Sequence, residues 1–179
     1  RNIGATNAGR VLGRTWFFVV FGLDFVKSLL PVLVTRHLAA SAVLGVTGPN
    51  VGGLTATDWA LLSGVAAVLG HVFPLFLYFK GGKGVAAAAG VFFALAPWPA
   101  AGALLLWIVV ARVSGYVSLA SLAAAVALPV ACFLLPRWTA TEVTRSVSWA
   151  AVAVSVLIIL RHKSNIGRLL RGTESKTRM

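Results

Sequence analysis

VAAAAGVFFALAPWPAAGALLLWIVVAR, residues 85–112, decides the fold class. A strand of a membrane barrel would alternate apolar and polar side chains over about ten residues, and this run does not alternate at all. A bilayer core of about 30 Å takes roughly 20 apolar residues per helix, so the run is too long for one straight span. Pro97 and Pro99 lack backbone N–H groups and fix φ, which predicts two helices joined by a tight turn at Pro-Trp-Pro. Working outward, further apolar runs lie at 16–35, 59–79, 116–135 and 147–160. The expectation is an all-α, polytopic integral membrane bundle with six transmembrane helices. Its alanines and glycines suit close helix packing, because small side chains let backbones approach.

Composition agrees. The chain has 179 residues, 59% hydrophobic and 11% charged, with 16 Lys+Arg against 4 Asp+Glu. A soluble nucleic-acid binder would carry such charge as a basic face, whereas here the cations punctuate apolar runs. Threading the spans puts Arg1, Arg10, Arg14, Lys80, Lys83, Arg112, Arg161, Lys163, Arg168, Arg171, Lys176 and Arg178 on one side. Only Arg36, Arg137 and Arg145 fall on the other, and Lys27 lies within a span. The positive-inside rule makes the richer side cytoplasmic. Trp16, Trp59, Trp98, Trp138 and Trp149 sit near span ends, as an aromatic belt does. Cys132, the one cysteine, lies in an apolar run and reads as a small hydrophobe. No signal peptide is recognisable at the start, and with arginine at position 1 the chain is expected to begin partway through a longer sequence.

Four polar segments fall on the basic side: NIGATNAGR (2–10), KGGKG (80–84), RVSGYVSLAS (112–121) and RHKSNIGRLLRGTE (161–174). Glycine backbones can curl N–H groups around phosphate oxygens, with Lys and Arg supplying charge and Asn, Ser and Thr directed hydrogen bonds. Lys80 and Lys83 read equally as topology anchors, although anchoring requires charge and not the φ freedom of Gly81, Gly82 and Gly84. The loop is not a Walker A motif: Leu77 and Gly84 stand where glycine and Ser/Thr are needed. His71 inside a span is either a helix-packing donor or a functional group, and His162, bordering the last span, is either an interfacial residue or a functional group. Asp24 and Lys27, three apart, share a helix face and read as a neutralised structural pair. Ser118 and Ser121 share the same spacing and either bond their own helix or face the cytoplasm. Glu174 balances the basic tail. The four acids are dispersed, so no carboxylate-held metal is expected, and no G-x-S-x-G elbow is present. What the residues support is positioning and charge stabilisation of a phosphate-bearing substrate at a membrane surface. A small organic-phosphate transporter and a noncatalytic membrane subunit are the rival classes.

NIGATNAGR, GHVFPLFLYFKGGKGVA, SGYVSLAS and HKSNIGRLLRGTE, in this order, resemble the signature loops of the acyl-phosphate:glycerol-3-phosphate acyltransferase family (PlsY). LDFVKSLLPV resembles the family's second helix, and the likeness covers essentially the whole chain. The resemblance implies a seven-helix bacterial membrane enzyme of phospholipid synthesis, here a single domain over 1–179 that lacks the first helix. It implies acyl transfer from acyl phosphate to glycerol 3-phosphate, giving lysophosphatidic acid and phosphate, with no cofactor, no metal and no nucleic acid. Its expected partners are membrane lipids, the acyl-phosphate supply and the next acyltransferase of the pathway, at the inner membrane with the site facing the cytoplasm. Residue by residue it places Arg10, Lys83, His71 and His162 in catalytic roles. Asn2, Thr6, Asn7, Lys80, Gly81, Gly82, Gly84, Ser118, Ser121 and Asn165 bind substrate, and Glu174, Asp24 and Lys27 are structural. Arg1 stands where the family has a glycine.

Overall fold

The computed structural model describes residues 3–41, 50–51, 53–135 and 143–177. In chain order these form α1 (Ala5–Leu12), α2 (Arg14–Ala40), a two-residue hairpin of β1 (Asn50–Val51) and β2 (Leu54–Thr55), α3 (Ala56–Val72), a 3-10 turn (Leu75–Leu77), α4 (Val85–Leu95), α5 (Pro97–Ser114), α6 (Val117–Leu134), α7 (Arg145–Arg161) and α8 (Lys163–Leu170). The all-α membrane bundle is therefore the architecture.

The run at 85–112 divides where its prolines stand. α4 ends at Leu95, Ala96 turns the chain at φ −145°, and Pro97 occupies the first turn of α5, where a missing N–H costs nothing. The expectation of six full spans needs correction at α4. Four helices (α2, α3 with its 3-10 extension, α5 and α6) are long and apolar enough to cross a membrane, and α7 with α8, bent by 59°, makes a fifth. α4 has only 11 residues, about 16 Å at ~1.5 Å per residue. It starts late because the chain spends residues 81–84 as irregular backbone, with Gly81, Gly82 and Gly84 buried.

α4 is the packed centre. Ala86, Ala87, Ala88, Gly90, Val91, Phe92, Ala94 and Leu95 are all buried, the pattern of a helix apolar all round. A Cβ at Gly90 would run into the Phe25 carbonyl of α2, so this glycine sets how closely the two helices approach.

The apolar run at 59–79 also breaks early, at Phe73–Pro74. Proline disfavours helix at the residue before it, and Phe73 takes φ −125°, ψ 58°. The chain then reverses through Tyr78 and Phe79, both at positive φ (52° and 60°). That reversal returns the glycine loop to the end of α3, where the Gly82 N–H donates to the His71 carbonyl at 3.1 Å. At the opposite end of the bundle, Thr55 and Asp58 form a capping box on α3, and Ser146 of α7 donates to Asp58 at 2.8 Å.

Candidate active site

One cavity of about 300 Å³ lies where the first turn of α1, the glycine loop and the starts of α6 and α8 meet. Its polar lining comes from Thr6, Asn7 and Arg10 of α1, Lys83 of the loop, Ser118 and Ser121 of α6, and His162, Ser164, Asn165, Arg168 and Glu174 of the C-terminal segment. Asp24 and His71 close its deeper wall.

Hydrogen bonds tie these groups into a chain. Lys83 Nζ donates to Asn165 Oδ1 at 2.5 Å, and Asn165 Nδ2 donates to Glu174 Oε1 at 2.7 Å. Ser118 Oγ reaches the same Oε1 at 2.9 Å, while Arg168 Nε donates to Oε2 at 2.6 Å. Burial pushes the Glu174 carboxyl up, but the donors Arg168, Asn165 and Ser118 outweigh it and hold the pKa below its usual value. The deeper wall has its own cluster: Lys27 pairs with Asp24 and lies 2.9 Å from His71 Nδ1. The tail closes over the cavity, with Arg10 donating to the Ser175 carbonyl at 3.2 Å and the Thr177 N–H to Gly115 O at 2.8 Å.

Two sources of positive potential converge here. Arg10, Lys83 and Arg168 line the cavity, and among the described residues only Arg168 of the three has a carboxylate within ion-pair distance. The second source is backbone. α1, α4, α6 and α8 all begin at the cavity and none carries a side-chain N-cap, whereas α3 and α7, capped by Thr55 and Thr144, begin elsewhere. A helix N-terminus presents about half a positive charge and a set of N–H donors, so four together favour an anion. Burial, together with Arg168, Arg10 and Arg161 and against the pull of Glu174, depresses Lys83 to a pKa of about 8. An anionic ligand would restore its full charge.

A second, apolar cavity of about 60 Å³ adjoins the first. Phe21, Val85, Trp107 and Ser121 line both, and beyond them the walls are alanines, Leu104, Phe92, Leu128 and Ile158. A polar, cationic cup opening into an apolar slot suits an amphiphile with an anionic head.

Comparison with known proteins agrees. The glycerol-3-phosphate acyltransferase family model matches residues 1–172. The chain belongs to the glycerol-3-phosphate acyltransferase family. A member from Trichlorobacter lovleyi is 41% identical over 175 residues, covering 98% of this chain and 79% of that protein. Crystal structures of PlsY, an integral membrane glycerol 3-phosphate acyltransferase, in its glycerol 3-phosphate and lysophosphatidic acid forms superpose with TM-scores of 0.78 and 0.77 at 37% identity. They cover 99% of this chain, and 78% and 80% of those chains.

In this glycerol-3-phosphate acyltransferase family member, the cavity gathers Thr6, Asn7, Arg10, His71, Lys83, Gly84, Ser118, Ser121, His162 and Asn165. Lys80, Gly81 and Gly82, expected to bind substrate, do not line it. Lys80 is exposed. Gly81 and Gly82 are glycines because the loop packs against the end of α3: a Cβ at Gly81 would overlap the His71 carbonyl, and one at Gly82 the His71 ring. Gly84 lines the cavity and needs its φ of +87° to launch α4. Asn2, like Arg1, Arg137, Trp138, Glu142 and Arg178, lies outside the described residues. Ser121 is spent locally, accepting from Trp107 Nε1 at 3.1 Å and donating to the Val117 carbonyl at 2.8 Å. Sequence reasoning left Arg168, Ser164 and Trp107 unassigned. Arg168 was recoverable, since it stands three residues after Asn165 and so shares its helix face. Trp107 was not, because an indole in an apolar run reads as lipid-facing until its N–H partner is seen.

Proposed function

We propose that this chain transfers a fatty acyl group from acyl phosphate to glycerol 3-phosphate, forming lysophosphatidic acid (1-acylglycerol 3-phosphate) and inorganic phosphate at the cytoplasmic face of the bacterial inner membrane. The observation that carries this reading is the adjacency of the two cavities, which share Phe21, Val85, Trp107 and Ser121 in their linings. An acyl phosphate laid across that junction has its phosphate among the cations and its chain in the slot. Glycerol 3-phosphate brings a second phosphate to the same cup. No cofactor is required, since acyl phosphate is a mixed anhydride and already activated. The reading places the enzyme after acyl-phosphate synthesis and before the next acyltransferase of phospholipid synthesis.

In the reaction the glycerol hydroxyl oxygen attacks the acyl carbonyl carbon, and the bond from that carbon to the phosphate oxygen breaks. The phosphate leaves with the electron pair. Lys83, Arg10 and the N-termini of α4 and α8 stabilise charge that grows on the leaving group, which is where preorganised donors have most effect. His162 Nδ1 is 2.8 Å from the Ile158 carbonyl, which makes Nδ1 the protonated nitrogen and leaves a lone pair on Nε2. The hydroxyl proton therefore has two acceptors in this cavity, His162 Nε2 and the leaving phosphate. His71 is placed to act differently: its Nδ1 faces Lys27 and Asp24, and its ring packs on Gly82, so it positions the loop that carries Lys83.

Lys83 lies outside the spanning helices, and its charge is present below its pKa of about 8 and lost above it. The dianionic substrate binds the charged form. Accordingly, kcat/KM for glycerol 3-phosphate should fall about tenfold per pH unit above about 8, since this parameter reports the free enzyme. In Lys83→Arg the guanidinium stays charged, so whatever its absolute rate the profile should stay flat to about pH 9.5. A break at the same pH in both proteins would exclude Lys83 as its source.

Donor identity is tested with purified protein in liposomes, offered hexadecanoyl phosphate or a hexadecanoyl thioester with labelled glycerol 3-phosphate. The expected product is labelled lysophosphatidic acid from the acyl phosphate alone. Turnover of the thioester at the same rate would overturn the donor assignment, and label accumulating inside the liposomes without product would indicate a transporter.

A further inference from the structure

The apolar slot has a measurable depth. From the residues it shares with the polar cup, it runs along three helices: Val85 to Phe92 on α4, Trp107 back to Ala100 on α5, and Ser121 to Leu128 on α6. Each path covers two helical turns, about 10 Å at ~1.5 Å per residue, so three independent elements give one length. The walls exist because Ala88, Ala103 and Ala125 end at Cβ, and all three are buried. The floor is closed: Phe92, Ala100 and Leu128 are 1%, 4% and 7% exposed, and beneath them Ala96 turns α4 into α5. The flank is less closed, since Phe21, Ala89, Leu104 and Ala124 line the slot yet remain partly exposed.

We propose that the slot reads only the proximal part of the acyl chain, about eight carbons at roughly 1.3 Å of advance per ~1.5 Å bond, and that the rest leaves through the flank of Phe21, Ala89, Leu104 and Ala124 into lipid. This rests on the acyl-phosphate reading above and adds to it a specificity rule. Lipid is as apolar as the slot, so transferring a methylene from one to the other yields no hydrophobic gain. Discrimination must come from fit. A branch forced between close-packed alanine walls is rejected by overpacking, whereas the same branch beyond the flank meets only fluid chains.

The test uses the wild-type protein in liposomes, with straight hexadecanoyl phosphate and its isomers carrying a methyl branch at the fifth or the thirteenth carbon, each at the same mole fraction in the bilayer. The proximal branch should lower kcat/KM at least tenfold and the distal branch less than about twofold. Equal losses, or a larger loss for the distal branch, overturn the proposal while leaving acyl transfer standing. No product from any donor would remove the acyl-phosphate reading and this rule together. A second arm is Ala103→Phe, which fills the slot midway: the ratio of kcat/KM for octanoyl to butanoyl phosphate should drop at least tenfold, and an unchanged ratio counts against the rule. The branch series needs no substitution, so it decides even if that variant does not fold.

Discussion

Lys83→Ala is expected to lower kcat/KM for glycerol 3-phosphate by about three orders of magnitude, with most of the loss in kcat. The ammonium lines the cavity, has no carboxylate in ion-pair distance among the described residues, and is held only by Asn165 at 2.5 Å. Removing one preorganised donor at a site of developing negative charge costs about 3–4 kcal/mol, or ~10²–10³ in kcat. Loss of ground-state attraction for two phosphates adds to that. The fold should survive, because Lys83 costs rather than gains from burial, as its depressed pKa shows. A Lys83→Ala protein of unchanged melting temperature and activity within about threefold of wild type would remove the residue from the mechanism.

The second large effect is expected at a residue that does not line the cavity. A Cβ at Gly82 would overlap the His71 imidazole, and His71 is itself fixed by Lys27 at 2.9 Å and by Asp24. Gly82→Ala must therefore move the loop, and Lys83 is the next residue. A misplacement of about 1 Å in a positioned group can cost ~10²-fold, so activity should fall by about that factor. Overpacking of this kind destabilises by about 1–3 kcal/mol, which a modest drop in melting temperature would register. Gly102→Ala is the control, since a Cβ there meets nothing within 4 Å and α5 should gain helix propensity. Equal activity of the two variants would show that the glycine loop is not held in register by His71.

These two variants also mark what the residues disclose on their own. The split at Pro97 and Pro99 and the polar segments that line the cavity were legible, because each is marked locally: a proline acts on its own backbone and a polar run interrupts its own apolar span. The brevity of α4 was hidden, since hydropathy runs unbroken from residue 85 and only the packing of Gly81, Gly82 and Gly84 against α3 shows how deep the loop lies. The same long-range contact turns Gly82 toward His71 while leaving Gly84 on the cavity wall. Lys80 and Lys83 look equivalent in KGGKG, yet one is exposed and the other half-buried beside Asn165, a difference set by the backbone reversal at Tyr78 and Phe79. Uncapped helix starts are individually unremarked in sequence, α2 and α5 having them too, and those of α1, α4, α6 and α8 acquire meaning only because the fold brings them to one cavity.

Convergence of these helix starts and loops on one cup makes the bound ligand the most direct test. An experimental structure of the protein with glycerol 3-phosphate should show the phosphorus within hydrogen-bonding reach of Lys83, close to the N-termini of α4 and α8, with a glycerol carbon turned toward the mouth of the slot at Trp107 and Ser121. Ligand density at any other face of the bundle, with the cup filled only by water, would contradict it.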